Sequence, residues 1–499
     1  MAGYTSLGAY SGTLMIPEFK GLNQYGDSIG GNPCYATEAR NALTKEGMLM
    51  PIAPCVPMSG TLPKPIETLA FLHRRWYSAD NEHDILIAAC DGQLYWSVPD
   101  VQVWNRLPLP PDWHQEYYDS NNWSCVSYEI NPDDGSADSA PIDVLIMSNA
   151  LDGMIIVRGD DLTTHRVNTP KKFGVIARHA ERIWGTGVEN DPDMLVYSAP
   201  YDPFDWEQNS DTPEDGAGDI MQPSWDGDSF SALTSFGNQL IALKRTRVWR
   251  VYGTNPGEYV FSEQYGGGTQ YAKTLAVDGT RMLMLGRDGL VQYNGESVAP
   301  YYQEYASGVF RRMNREALEQ AVGCIYRDVY YCALPLDGSR VNNAVLMFNT
   351  KERTWLLRED VKVESFCPTE NALFFTSATT PGQIWTWADD SWGGTAQPMR
   401  WVGPWQDFGY KNVAKGSFTW YLTVECEEPV ELTLGIQTEK KTKLKVLTFS
   451  PPSKGQLAKQ RRVVFGGNGR RFRVLIESDG TVPWRLIGGM QIEAETDTD

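Results

Sequence analysis

Asp84–Trp96, DILIAACDGQLYW, reads as two strands and the turn that joins them. Asp84–Ala89 is a short apolar run, Asp91-Gly92 is a turn dipeptide, and Gln93–Trp96 ends in an aromatic pair. Upstream lies another apolar strand, Ile66–Leu72, and downstream the unit closes at Val103-Trp104. The order is an apolar strand, a second strand, a turn, a third strand ending in aromatics, and a short outer strand.

That order recurs. Further units span Trp123–Thr169, Val175–Trp206, Ser231–Glu263, Lys273–Val298, Ala321–Leu357 and Val363–Trp387. The repeat is about 35 to 45 residues, the size of one β-propeller blade. A four-stranded sheet cannot bury both faces alone, whereas blades stacked around an axis bury them and leave short edges. The reading is therefore all-β: a β-propeller of about seven blades (six to eight) at residues 60–394. A set of irregular sandwiches with similar turns is the weaker alternative. The inner strands are expected to be the uniformly apolar ones, with Trp104, Trp206 and Trp355 on outer strands covering the seams. Residues 1–59 read as an extended N-terminal segment in which Gly12–Phe19 supplies the strand that closes the ring. Helix is scarce; the best candidate is Gly308–Ala321, with apolar residues at helical spacing.

From Met399 the texture changes to seven alternating strands, for example Phe472–Ile476, which read as a C-terminal β-sandwich or jelly-roll at residues 395–493. Residues 494–499 read as an acidic tail. The charge agrees with a boundary near residue 395. The chain carries 44 Lys/Arg and 63 Asp/Glu. From Thr395 onward 15 basic face 12 acidic side chains, a net of +3, and the remainder carries 29 against 51, a net of −22. Such acidity argues against a protein that grips nucleic acid through phosphates and suits a surface past which DNA slides.

Nothing in the spacing points to catalysis. The five His (73, 83, 114, 165, 179) form no metal or catalytic pattern, and no nucleophile elbow or P-loop is present. The eight Cys form no CxxC pair and read as free, mostly buried thiols. Asn131–Asp143, Glu189–Asp193 and Asp211–Asp219 are acidic loops that could hold Ca²⁺ but lack EF-hand spacing, and solvated loops are the plainer reading. The single near-match to a sialidase Asp-box, Ser478–Trp484, has the wrong spacing. No catalytic, cofactor-binding or metal-ligating residue is singled out, and no cofactor is expected. The N-terminus shows no basic stretch followed by an apolar core, and no apolar run is long enough to span a membrane.

Several stretches resemble a family of tailed-bacteriophage β-propeller virion proteins of the neck or tail, loosely grouped with packaged-DNA stabilisation and tail-nozzle proteins. They are Phe19–Pro54 with its GLN turn, Arg182–Trp206 with YSA followed by DPFDW, Phe236–Tyr252 with LIALK and VW, Arg281–Gly295, and Asp328–Trp355. The resemblance covers most of residues 19–357 and, more weakly, the C-terminal sandwich. Its motifs are strand-and-turn patterns, so it implies no functional residues, and Tyr201–Trp206 becomes a blade turn and seam. It implies a non-enzymatic structural protein of the virion tail or neck, forming a ring-like homo-oligomer (a hexamer or dodecamer) around the DNA channel, with adaptor, portal or tail proteins as neighbours and no sequence-specific nucleic-acid binding. The alternatives are a host-surface carbohydrate- or receptor-binding tail protein, drawing on the 12% aromatic content, and a propeller glycosidase.

Overall fold

A computed structural model describes residues 11–25, 30–75, 84–111, 113, 123–131, 140–209, 211–222, 227–387, 392 and 394–496. His83, His114, most of the Asn131–Asp143 loop and the last three residues lie outside them.

Seven four-stranded antiparallel sheets form the first body. Their first strands are Thr68–His73, Ser124–Ile130, Val175–His179, Ala232–Phe236, Ala276–Asp278, Val322–Tyr326 and Ser365–Pro368. First strands lie against one another at five of the seven seams, among them Ser365–Pro368 of the seventh blade against Thr68–His73 of the first. Thr68–His73 also meets Ile142–Asn149 of the second blade, and an apolar cluster joins the fourth blade to the fifth, so the ring is closed. This is a β-propeller.

Side-chain alternation makes the seams. In Asp84–Cys90, Ile85, Ile87 and Ala89 pack into the seam with the second blade, and Leu86, Ala88 and Cys90 into the seam with the seventh. Both faces of a middle strand are therefore dry, so it reads as a continuous apolar run without alternation. One apolar cluster occupies each of the seven seams. The uniformly buried strands include second ones, such as Arg182–Thr186 and Leu373–Thr376, and the outer strand Thr354–Glu359 beneath the sandwich, and not the inner ones as expected. The inner strands turn one flank to the axial opening and keep half-buried residues, as in Ser124–Ile130.

The ring closes differently from the expectation. The seventh blade draws three strands from its own stretch and its fourth, Val56–Thr61, from the N-terminal side, paired with Gln383–Trp387. Gly12–Phe19 plays no part in this. Ser11–Ile16 pairs instead with Trp484–Thr496, from Ser11 opposite Glu495 to Ile16 opposite Met490. Val56–Thr61 lies just ahead of the first blade, so a short connection carries it onto the adjacent seventh. At Gly60 a Cβ would stand 2.6 Å from the carbonyl oxygen of Val101, a close approach only glycine permits.

Three further expectations change. The third blade ends in Gly218–Met221; Asp205-Trp206 lies in the preceding loop, although the Trp206 ring does fill the seam beside Phe173. The Gly308–Ala321 helix is only Ser307–Arg312, followed by a 3₁₀ turn at Leu318–Gln320. Asn314 ends it: its N–H donates to the Pro335 carbonyl and its Nδ2 to the Ser339 carbonyl, drawing the chain onto the neighbouring hairpin. The stretch read as the start of an acidic tail is the end of a strand, with Ala494 buried.

The second body is a sandwich. One sheet runs Glu38–Arg40, Met399–Val402, Phe472–Ser478, Val430–Thr438, Thr442–Phe449. The other runs Ala42–Lys45, Met48–Pro51, Trp484–Thr496, Lys415–Cys426, Arg461–Gly469, with Ser11–Ile16 also on Trp484–Thr496. The seven expected strands are present, and the N-terminal segment adds four. Two of those four, Glu38–Arg40 and Ala42–Lys45, touch Thr354–Glu359, the outer strand of the sixth blade. The sandwich therefore sits on the propeller's rim. Its core is continuous with the seam between the fifth and sixth blades through Phe19, Leu22, Phe348, Trp355 and Trp401.

Candidate interaction surfaces

Three carboxylates from two of the acidic loops, Asp143, Asp191 and Asp193, have cationic partners within the chain. Lys244, fully buried, donates from Nζ to Asp193 Oδ1 at 2.7 Å and to the Gln222 carbonyl at 2.9 Å. Lys171 pairs with Asp191 at 2.9 Å. Asp143 accepts from the Arg75 main-chain N–H at 2.6 Å and from its guanidinium at 2.7 Å. Buried charges are retained where they are paired and hydrogen-bonded, as here. No three His, Cys, Asp or Glu side chains come together among the described residues as a metal ion would need.

The loop between the third and fourth strands of the third blade is different. From Ser198 to Met221 the sequence holds seven carboxylates and no Lys or Arg. Asp202, Asp205, Glu207, Asp211, Glu214 and Asp215 are all exposed, and no described cation lies within ion-pair distance of any of them. Tyr201 and Phe204 project beside them, 68% and 41% exposed. The loop is nonetheless braced. Arg182, fully buried, donates Nη1 to the carbonyls of Ser198 and Gly216, both at 2.7 Å, and Nη2 to that of Glu214. The Trp206 indole N–H donates to Pro203 O at 2.9 Å, and the Tyr201 N–H to Glu181 O at 2.8 Å. Tyr201 holds φ at 62°, a left-handed backbone that a bulky residue adopts only when its surroundings demand it. The result is a fixed acidic corner with two aromatic rings.

The second surface is the sandwich edge farthest from the propeller, formed by Thr442–Phe449 and Arg461–Gly469. Lys440–Arg462 holds eight Lys/Arg and no Asp/Glu. Leu444 and Val446 stand exposed among them, at 53% and 61%. Arg461 Nη2 reaches across to the Thr448 carbonyl at 3.2 Å, and Lys445 lies over the Phe465 ring at 5.7 Å, so cations line the opening between the sheets.

A cavity of about 300 Å³ lies beside the starts of the first strands of blades one, six and seven, lined by Glu67, Lys273, Asn342 and Glu364 among others. Burial raises the Glu364 carboxyl and lowers the Lys273 ammonium from their ordinary values. A groove of about 720 Å³ between Met48, Met50, Trp392, Leu457 and Trp484 marks one end of the sandwich. Sequence reasoning took Asp211–Asp219 for a solvated acidic loop and Tyr201–Trp206 for a blade turn and seam, and singled out neither the basic strand edge nor the cavities. The acid-only and base-only stretches were visible signals; the bracing by Arg182 was not, because its partners are main-chain carbonyls up to 34 residues away.

No family model matches this chain, and no curated protein matches it. Solved structures similar to it are propellers. The Pan2 WD40 domain of Neurospora crassa is 8% identical, covering 68% of this chain and 96% of that one, with a TM-score of 0.37. The β-propeller domain of the Trilobed protease from Pyrococcus furiosus is 9% identical, covering 64% and 96%, with a TM-score of 0.33. BamB from Moraxella catarrhalis is 11% identical, covering 71% and 98%, with a TM-score of 0.28. The likeness is one of fold alone, and the β-propeller in this chain rests on its own closed ring of seven sheets.

Proposed function

We propose that this chain is a structural, non-enzymatic virion protein of a tailed bacteriophage, forming a ring in the tail or neck around the channel through which DNA passes. The observation that carries the reading is a closed acidic propeller rigidly joined, at its rim, to a sandwich whose far edge is basic. An acidic wall repels DNA and lets it pass, and opposite charges at the two ends of one rigid body suit repeated assembly. The virion setting rests on the resemblance carried by Arg182–Trp206 and Phe236–Tyr252. Native mass spectrometry and electron microscopy of the full chain, alone and with portal or tail proteins, test the proposal. Rings are expected; monomers under every condition would overturn it.

Exposed Tyr201 and Phe204 at one corner favour a second reading, recognition of a host-surface carbohydrate by ring stacking. Against it, every described Trp is buried or half-buried. A glycan array that stays blank would retire this reading.

A further inference from the structure

We infer that the distal edge of the sandwich docks on the acidic third-blade corner of a second copy of this chain, so that the proposed ring is built head to tail. This rests on the ring reading above and adds the surfaces that make it.

Three observations converge. The first is charge: eight basic residues without an acid at Lys440–Arg462, and seven acids without a base at Ser198–Met221. Opposite patches of this kind steer encounter and set register. The second is apolar content within each patch. Leu444 and Val446 lie among the lysines, and Tyr201 and Phe204 among the carboxylates. Aromatic and aliphatic anchors inside a charged rim are the usual anatomy of a protein interface.

The third is placement. The first sheet of the sandwich runs outward from Glu38–Arg40, which touches the sixth blade, through three strands to Thr442–Phe449. Four strand spacings carry the basic edge roughly 19 Å away from the propeller. The acidic corner belongs to the third blade. Three blades out of seven separate it from the sixth, about 150° around the axis. One chain thus cannot satisfy its own patches, but a neighbour can. Each contact pairs unlike surfaces and turns the next copy the same way, the condition for closing a ring. Lys443 and Lys445 on one edge strand and Arg461 and Arg462 on the other discourage strand-to-strand pairing, so the contact is made by side chains.

Charge reversal in the full-length protein tests this. One variant carries K441E, K445E and R462E; a second carries D202K, D205K and E207K; a third carries all six. Unchanged melting temperatures confirm folding, and light scattering with native mass spectrometry reads assembly at low and physiological salt. Wild type should assemble, less so as salt screens the patches. Each single-patch reversal should weaken association about tenfold or more, and the six-fold variant should regain it because the charges again match. If wild type assembles and both single-patch reversals assemble undiminished, this contact is wrong while the ring reading stands. If the six-fold variant fails to recover, the pairing of these two patches is wrong. If wild type stays monomeric throughout, the ring reading falls and takes this contact with it.

Discussion

Asn41 accepts the main-chain N–H of Glu359 through its Oδ1 at 2.9 Å, and so joins the N-terminal segment to the outer strand of the sixth blade. Its own N–H donates to the Leu357 carbonyl at 2.9 Å, and its Nδ2 to the Pro398 carbonyl at 3.0 Å. One side chain, 1% exposed, thus ties propeller, sandwich and the connection between them. Its φ of 51° suits Asn better than most residues. Replacing Asn41 by Ala leaves the buried Glu359 N–H without its acceptor, at about 1–3 kcal/mol. In scanning calorimetry of Asn41→Ala the propeller and sandwich should melt in separated steps, where wild type unfolds them together; an unchanged thermogram would refute the role.

Ser11–Ile16 and Val56–Thr61 serve different bodies, and truncation should separate them. Removing residues 1–16 takes away the Ser11–Ile16 strand and weakens only the sandwich. Removing residues 1–61 also takes the other three sandwich strands of the segment together with Val56–Thr61, and leaves the seventh blade with three strands. Hydrogen exchange should show faster amide exchange in Trp484–Thr496 for the first truncation. For the second it should show faster exchange in Gln383–Trp387 as well.

Arg182→Met removes the cation that holds the third-blade loop and leaves three main-chain carbonyls without their donor. We expect a loss of about 3 kcal/mol and new cleavage within residues 198–217 by a protease specific for acidic residues. Trp206 should stay in its seam, so tryptophan fluorescence should change little before unfolding.

Burial lowers the His179 imidazole from its ordinary value to about 4. Its Nδ1 lies 2.9 Å from Ser235 Oγ, and the folded state keeps the ring neutral. The unfolded chain takes up the proton near pH 6.5. The stabilisation is therefore complete above pH ~6.5, falls as pH drops toward 4, and levels off below it. The melting temperature should decline over that window. In His179→Gln, whose side chain does not titrate, the decline should be shallower.

All eight cysteines are free, and seven are buried. Burial pushes the Cys332 thiol up to about 12 and holds Cys324 and Cys367 high as well. Thiolate is the reactive form, so alkylation of the native protein at pH 8 should be slow, half-buried Cys125 included, because burial pushes its thiol up to about 12 as well. All eight should react in denaturant. Rapid modification of Cys332 without denaturant would contradict this packing.

Much of the fold was legible in one dimension because blades are local. Asp84–Trp96 contains its strands and turn within 13 residues, and the same holds for Arg281–Tyr293. A β-turn between apolar runs is short-range chemistry, and the sequence alone determined it. The division of charge at residue 395 and the acid-only and base-only stretches are equally sequence properties. What tertiary structure decided is long-range. Val56–Thr61 and Ser11–Ile16 are both short stretches with little in their composition to say which sheet they join. Only the closing of the ring assigns one to the seventh blade, more than 300 residues away in sequence, and the other to the C-terminal strand. The same holds for Arg182, an ordinary strand residue in sequence. Its work is set by the carbonyls that the folded loop brings to it. Local turns follow from backbone sterics, whereas distant strand pairing and buried cations depend on which surfaces the completed ring leaves to be covered.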